Sequence, residues 1–381
     1  MLQARFHPRI DAIDANAWDA LLPDDNPFVR HAFLAGLEDT GCIRADYGWQ
    51  AHHLGLYEGD ALVAAAPLYL KGNSHGEYVF DWAWADAYER HGLSYYPKLL
   101  CGVPYSPVPG PRLLTGTGPD APRRRNALII AIEAETRRLG LSSAHVNFAL
   151  DDEASSLVDR GWLERSDWQF HWHNRGWTDF EQFLGALSHK KRKNIRAERN
   201  AVARAGLTCS IHSGASLDAR DWAQIHALYR HTFDEKGNHA ALTAPFFSHL
   251  GASLGDRVQV ALARRGEHDP ILAMALFLRG ADTLYGRYWG ARMPVPGLHF
   301  ELCYYQGIDH CVREGLAHFE PGAQGQHKIA RGFTPTRTRS FHHIADPRFR
   351  TAIGAALEEE HHAIEEYGEV LCAHSPYARI Q

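Results

Sequence analysis

The elements predicted for this chain run through one order twice. Residues 10–40 carry two short helical patterns, around Ala17–Leu22 and Pro27–Asp39. The stretches Gln50–Tyr57 and Ala61–Leu70 flank the tight turn Glu58-Gly59-Asp60 and read as a β-hairpin. Arg112–Leu114 is a short strand. Pro122–Leu139 is a helix with Leu128, Ile129, Ile132 and Leu139 on one face, ended by Gly140. Ser143–Phe148 is the next strand. The second half repeats this order with helices at Asp218–Phe233 and Phe246–Leu254. Strands follow at Arg257–Arg264, Ile271–Arg279 and Thr283–Trp289. A helix at Leu298–Glu314, closed by Gly315, then leads to a strand at Ala317–Glu320. The order specifies an α/β class. It suggests an N-terminal domain over 1–177, a basic helical connector over 178–206 and a C-terminal domain over 207–381 that ends in an acidic helix at Ala352–Tyr367.

Length and composition suit that reading. A chain of 381 residues with 45% hydrophobic content accommodates two domains. The formal charge of −5 argues against a protein that coats DNA, which carries a basic excess. Six cysteines without a CxxC pair and 25 scattered histidines without HExxH give no metal motif. His171 and His173 share a strand face, but no third ligand is near in sequence. Residues 1–9 lack a signal pattern and no run of about 18 apolar residues occurs, so membrane insertion is not expected and the expected location is cytoplasmic.

Several segments carry a resemblance. Gly116-Thr117-Gly118 before a helix looks like a weakened phosphate loop of the GNAT fold, whose turn aims backbone amides and a helix start at a pyrophosphate. The segments 284–291, 298–305 and Phe319-Glu-Pro-Gly-Ala-Gln-Gly-Gln-His-Lys328 resemble the FemAB-like proteins. So do Phe80-Asp-Trp-Ala-Trp84, Tyr95-Tyr-Pro-Lys98, Pro104-Tyr-Ser-Pro107 and Lys190-Lys-Arg-Lys-Asn-Ile-Arg196. The resemblance implies two tandem GNAT-like domains and an acyltransferase. The donor is then acyl-CoA or acetyl-CoA and the acceptor a small-molecule amine, with no metal. Two alternatives are aminoacyl transfer from aminoacyl-tRNA, as in the better-known Fem enzymes, and a recognition protein without catalysis. The long coiled-coil insertion of those Fem enzymes is absent, since no sustained heptad run occurs.

Acyl transfer to an amine needs a proton acceptor, an oxyanion donor and a proton for the leaving group. Glu320 ends a strand and opens a Gly-rich loop, which makes it the first candidate base. Glu301, in the first turn of a helix, is the second. Gln324, His327, Lys328 and Arg331 follow Glu320 closely and could hold an anionic substrate, as could Arg337. Arg287 and Tyr288 lie on opposite faces of their strand if alternation is strict. Asp81, Trp82 and Tyr105 belong to an aromatic and acidic set that suits a substrate wall or ordinary packing. Gly116, Gly118, Lys190, Lys191 and Arg192 would grip donor phosphates; the basic run fits a solvated helix equally well.

Overall fold

The computed structural model describes residues 2–323 and 325–378. The chain separates into two compact units. Unit 1 comprises Met1–Asp167 and Arg337–Tyr367; unit 2 comprises Trp168–Thr336 and Gly368–Gln381. The connector expected at 178–206 therefore lies inside unit 2, and the first unit reclaims residues 337–367 from the C-terminal half. The pairing of residues 341–344 with residues 143–146 explains that return.

Unit 1 contains β1 (Leu2–His7), β2 (Trp49–Ala51), β3 (His53–Glu58), β4 (Ala61–Ala66), β5 (Leu68–Lys71), β6 (Lys98–Cys101) and β7 (Ser143–Val146). The hairpin forms as expected: β3 and β4 pair antiparallel around Gly59, whose φ of 62° suits a residue without a Cβ. β1 completes that small sheet on β3. A second sheet runs β2-β5-β6-β7, in which β6 and β7 are parallel. The helix Ala121–Arg138 lies between them in the chain and packs Leu128, Ile129 and Ile132 into the core with Leu99, Val146 and Phe341. Phe341 belongs to β14 (Thr334–Ile344), whose end pairs with β7 over residues 341–344. The strand expected at Arg112–Leu114 reduces to one bridge between Leu114 and Ala65. Pro111 precedes it and cannot donate to a ladder, which cuts the strand short.

In unit 2 the residues of β8 (Leu163–His173) beyond Asp167 pair with β13 (His318–Glu320). The sheet continues through β12 (Thr283–Ala291), β11 (Ala273–Arg279), β10 (Val258–Arg264) and β9 (Thr208–Ser213). β12 and β13 pair parallel, whereas the β8–β13, β11–β12, β10–β11 and β9–β10 pairs are antiparallel. The helical segment 298–314 connects them and is closed by Gly315 in the left-handed region. Its middle, Glu301–Tyr305, is a π-turn, an element that recurs at functional sites. The basic region forms two helices, Phe180–Ala186 and His189–Arg204, with the break near Ser188. Asp179 caps the first by accepting from Gln182 N, and the Gln182 carboxamide oxygen accepts from Thr178 N.

Close packing shows at Gly290 in β12. A Cβ there would stand 2.3 Å from the carbonyl oxygen of Leu228, on the helix Ala219–Glu235. Backbone cannot yield as a side-chain tip does. Gly290→Ala is expected to cost about 1–3 kcal/mol of unfolding free energy, read as a lower urea midpoint; an unchanged midpoint would contradict this packing.

Candidate functional sites in the two units

Unit 2 assembles most of the predicted residues. Glu320 pairs with Tyr285 in the parallel ladder, and Arg287 lies two residues along β12 on the same face. The Arg287 guanidinium donates to both Glu320 oxygens, each at 3.0 Å, and both side chains are 2% exposed. The register slips between Leu276 and Phe277, so Leu276 faces Tyr288 while Phe277 faces Gly286. This bulge interrupts the strict alternation assumed for 287–289, as bulges near functional sites commonly do. Tyr288 packs edge-on against Tyr229.

Next to that ion pair sits Lys328, on the 3₁₀ turn Gln326–Arg331. Its Nζ donates to Gly322 O at 2.6 Å and Ala323 O at 3.2 Å. Burial, reinforced by the charge of Arg287 and opposed by Glu320, brings its amine down to about 8. His171 is pushed down to about 3 by burial and by His173, Arg287 and Lys328. His299 falls to about 4 for the same leading reason, with His327 and Arg331 adding. These imidazoles are neutral at pH 7. Arg331 bonds Glu198 and Tyr305 and lies over the Phe300 ring at 3.4 Å. His327 meets the Tyr304 hydroxyl at 2.9 Å. Gln324 lies outside the described residues.

Glu301 stands apart in role. Its carboxylate accepts from Arg199 at 3.0 and 3.2 Å and from Gln306 at 2.8 Å, so both oxygens are engaged. Of the basic run, Arg192 donates to Gly185 O, and Arg196 pairs with Glu181. Lys190, Lys191 and Lys193 form no ion pair among the described residues.

Unit 1 holds a second cluster, of which Asp81 is the candidate site residue named from sequence and Tyr95 and Lys98 belong to a segment that resembles the family. Lys98 and Lys71 face one another across β6 and β5 in register, and both are buried. Lys98 Nζ donates to Glu77 at 2.7 Å and also to Asp81. Asp81 further accepts from the Ser74 and Tyr95 hydroxyls. Burial alone would raise Asp81, but Lys98, His145 and these donors hold it well below the usual carboxylate range. Glu77 has fewer donors and an Oε2 without a partner, and burial raises it. Two acids on one ammonium are thus driven apart. Burial and the Lys98 charge lower Lys71 to about 7, its amine 3.7 Å from the Trp49 ring centre.

Ser74 and Tyr95 also border a cavity of about 430 Å³ that Trp82 lines. Tyr105 packs on Trp49 at 5.4 Å between ring centres and donates its hydroxyl to Cys42 O, without lining that cavity. The expected phosphate turn leads into the helix Ala121–Arg138 with Gly116 at φ 67° and Gly118 at φ 133°. The Gly116 amide is spent on Leu21 O at 2.9 Å. Arg337, on the unit 1 side of β14, bonds Glu365 and Ser166.

Among the described residues no three His, Cys, Asp or Glu side chains are placed to hold a metal, and no helix is long and apolar enough to cross a membrane.

FemX has a similar fold, with a TM-score of 0.54 at 10% identity over 92% of this chain and 100% of that one. The DUF2156 C-terminal domain of an Agrobacterium fabrum protein scores 0.52 at 12% identity, covering 87% and 92%. A tandem GNAT protein from the clavulanic acid pathway aligns at 12% identity over 91% and 99%, with a TM-score of 0.46. No curated protein sequence matches the chain. The fold is the mixed α/β one seen in FemX and in that DUF2156 domain. Residues 9–379 match the profile of the FemAB-like family, described as peptidoglycan biosynthesis/recognition, and the chain belongs to that family.

Proposed function

We propose that the chain is a transferase that moves an acyl or aminoacyl group from a phosphate-bearing donor onto an amine, with Lys328 of unit 2 as the proton acceptor. The observation that carries this reading is the disposition of the Lys328 amine. A neutral lysine amine has two N–H bonds and one lone pair. Gly322 O and Ala323 O take two N–H bonds, which leaves the lone pair for a substrate proton. An amine near 8 is poised for general base and then general acid work. The acceptor nitrogen attacks the ester or thioester carbonyl and a C–N bond forms. Its proton passes to Lys328 Nζ. The C–O or C–S bond then breaks, and Lys328 returns the proton to the leaving oxygen or sulfur.

Glu320 was the first candidate base from sequence. With both oxygens on Arg287, its part in this reading is to position the site and tune Lys328. Lys190, Lys191 and Lys193 supply the attraction for donor phosphates. That chemistry is shared by acyl-CoA and aminoacyl-tRNA, and family membership favours the second.

Salt dependence separates the two donors. Binding of a tRNA end by three lysines contributes about 2 to the slope of log K against log salt. Replacing Lys190, Lys191 and Lys193 by alanine should remove that contribution in filter binding with aminoacyl-tRNA. Saturable heat with acyl-CoA, and no RNA retention, would assign the CoA donor instead. Failure of both donors to bind would end the proposal.

A further inference from the structure

We infer that the cavity of unit 1 is a binding site for an organic ammonium ion. The helix Trp82–Arg90 sets Trp82, Asp86 and Glu89 at spacings of four and three, so they share a face. All three line the cavity, and Tyr95 and Tyr96 line it too. The helix start is pinned from behind, because Asp81, its N-cap residue, is held by Lys98, Tyr95 and Ser74. Ser74 in turn meets the Tyr96 hydroxyl at 2.6 Å. The aromatic wall is thus anchored to a buried charge cluster.

The lining contains two carboxylates and no lysine or arginine. Neither Asp86 nor Glu89 has an ion-pair or side-chain hydrogen-bond partner among the described residues. Behind the wall, Lys98 is consumed by Glu77 and Asp81, and Lys71 Nζ donates to His75 O at 3.0 Å. Trp82 remains 46% exposed, its ring in a T-shaped contact with His75 at 5.0 Å between ring centres. Carboxylates at the rim with indole and phenol faces attract a cation and repel phosphate or carboxylate ligands. A divalent metal wants six or more oxygens, which two carboxylates among aromatic rings do not supply. An alkylammonium gains from both the charge and the ring faces. The volume of about 430 Å³ is that of a small-molecule site.

This inference does not rest on the transferase reading, because its readout is binding. The full chain is titrated at low salt with tetramethylammonium and, separately, with Nα-acetyl-lysine methylamide, by calorimetry and tryptophan fluorescence. Magnesium chloride and sodium acetate serve as comparators. Saturable binding of one ammonium probe is expected, weakened about tenfold or more in the Asp86→Asn/Glu89→Gln double variant. Both substitutions sit on exposed positions and preserve helix and core. The fluorescence change should vanish in Trp82→Phe. Which probe binds more tightly distinguishes a methylated head group from a primary amine. The inference is overturned if neither probe saturates, if the double variant binds as tightly as the parent, or if magnesium displaces the ammonium at equal concentration.

Discussion

Lys98→Met should lower the unfolding free energy by about 3–5 kcal/mol at pH 7, the usual cost of stranding buried charge. Lys98 is 1% exposed and neutralises Glu77 and Asp81 from one nitrogen. Methionine fills similar space but leaves both carboxylates in a dry interior. The pH dependence has a definite sign. In the parent, Asp81 titrates below its unfolded value, so its contribution is present above the usual carboxylate range and is lost as pH falls through the depressed value. In the variant burial loses its main opponent, the Lys98 charge, so both acids rise relative to the parent and stability is lost as pH rises through them. The two stability curves should therefore converge in acid and separate towards neutrality. Urea midpoints between pH 4.5 and 8 test this. Adding Glu77→Gln and Asp81→Asn to the variant should recover most of the loss, since a cluster removed whole strands nothing. A single-variant loss below about 1 kcal/mol, the scale of an exposed pair, would refute the buried-cluster account.

Lys328→Met should reduce kcat/KM by about 10²–10⁴-fold once a donor and acceptor pair is in hand, the usual span for removing a positioned base. The parent rate should climb with pH and level off above about 8, because the neutral amine is the working form. Glu320→Gln discriminates between the two base assignments. The Glu320 charge raises Lys328, so its removal lowers the lysine further and moves the acid limb of the profile to lower pH. If Glu320 were itself the base, the same substitution would abolish the reaction and leave no limb to shift. An unshifted limb with full activity would rule out both assignments.

The Lys98 and Lys328 sites differ in how far the chain announced them. Lys328 stood beside Glu320 in a loop with three glycines, where functional groups gather, and was named from sequence as a binding residue. Lys98 lies in the run Lys98-Leu-Leu-Cys101, an apolar strand that was missed because four residues are too few to show a period. The family-like segment Tyr95-Tyr-Pro-Lys98 points to the lysine but not to its partners, and a lysine before buried-type residues also fits an ordinary strand end. Its partners Glu77 and Asp81 sit 21 and 17 residues away, beyond any local motif.

Helices, caps and the hairpin were readable because each depends on residues within a turn or two: Gly315 closes its helix and Gly59 turns its hairpin whatever the rest of the chain does. The tandem α/β architecture follows from the order of those local elements. Sheet pairing is different. Whether β14 returns to β7, 197 residues away at His145 and His342, depends on which buried faces fit. So does the bulge that aims Arg287 at Glu320. The same holds for the values of Lys328, Glu77 and Asp81, since desolvation and a neighbouring charge exist only once distant strands exclude water around them. Residue types therefore announced that charged chemistry was present, while folding alone chose which charges would be paired, which would be shifted, and which would be left facing a cavity.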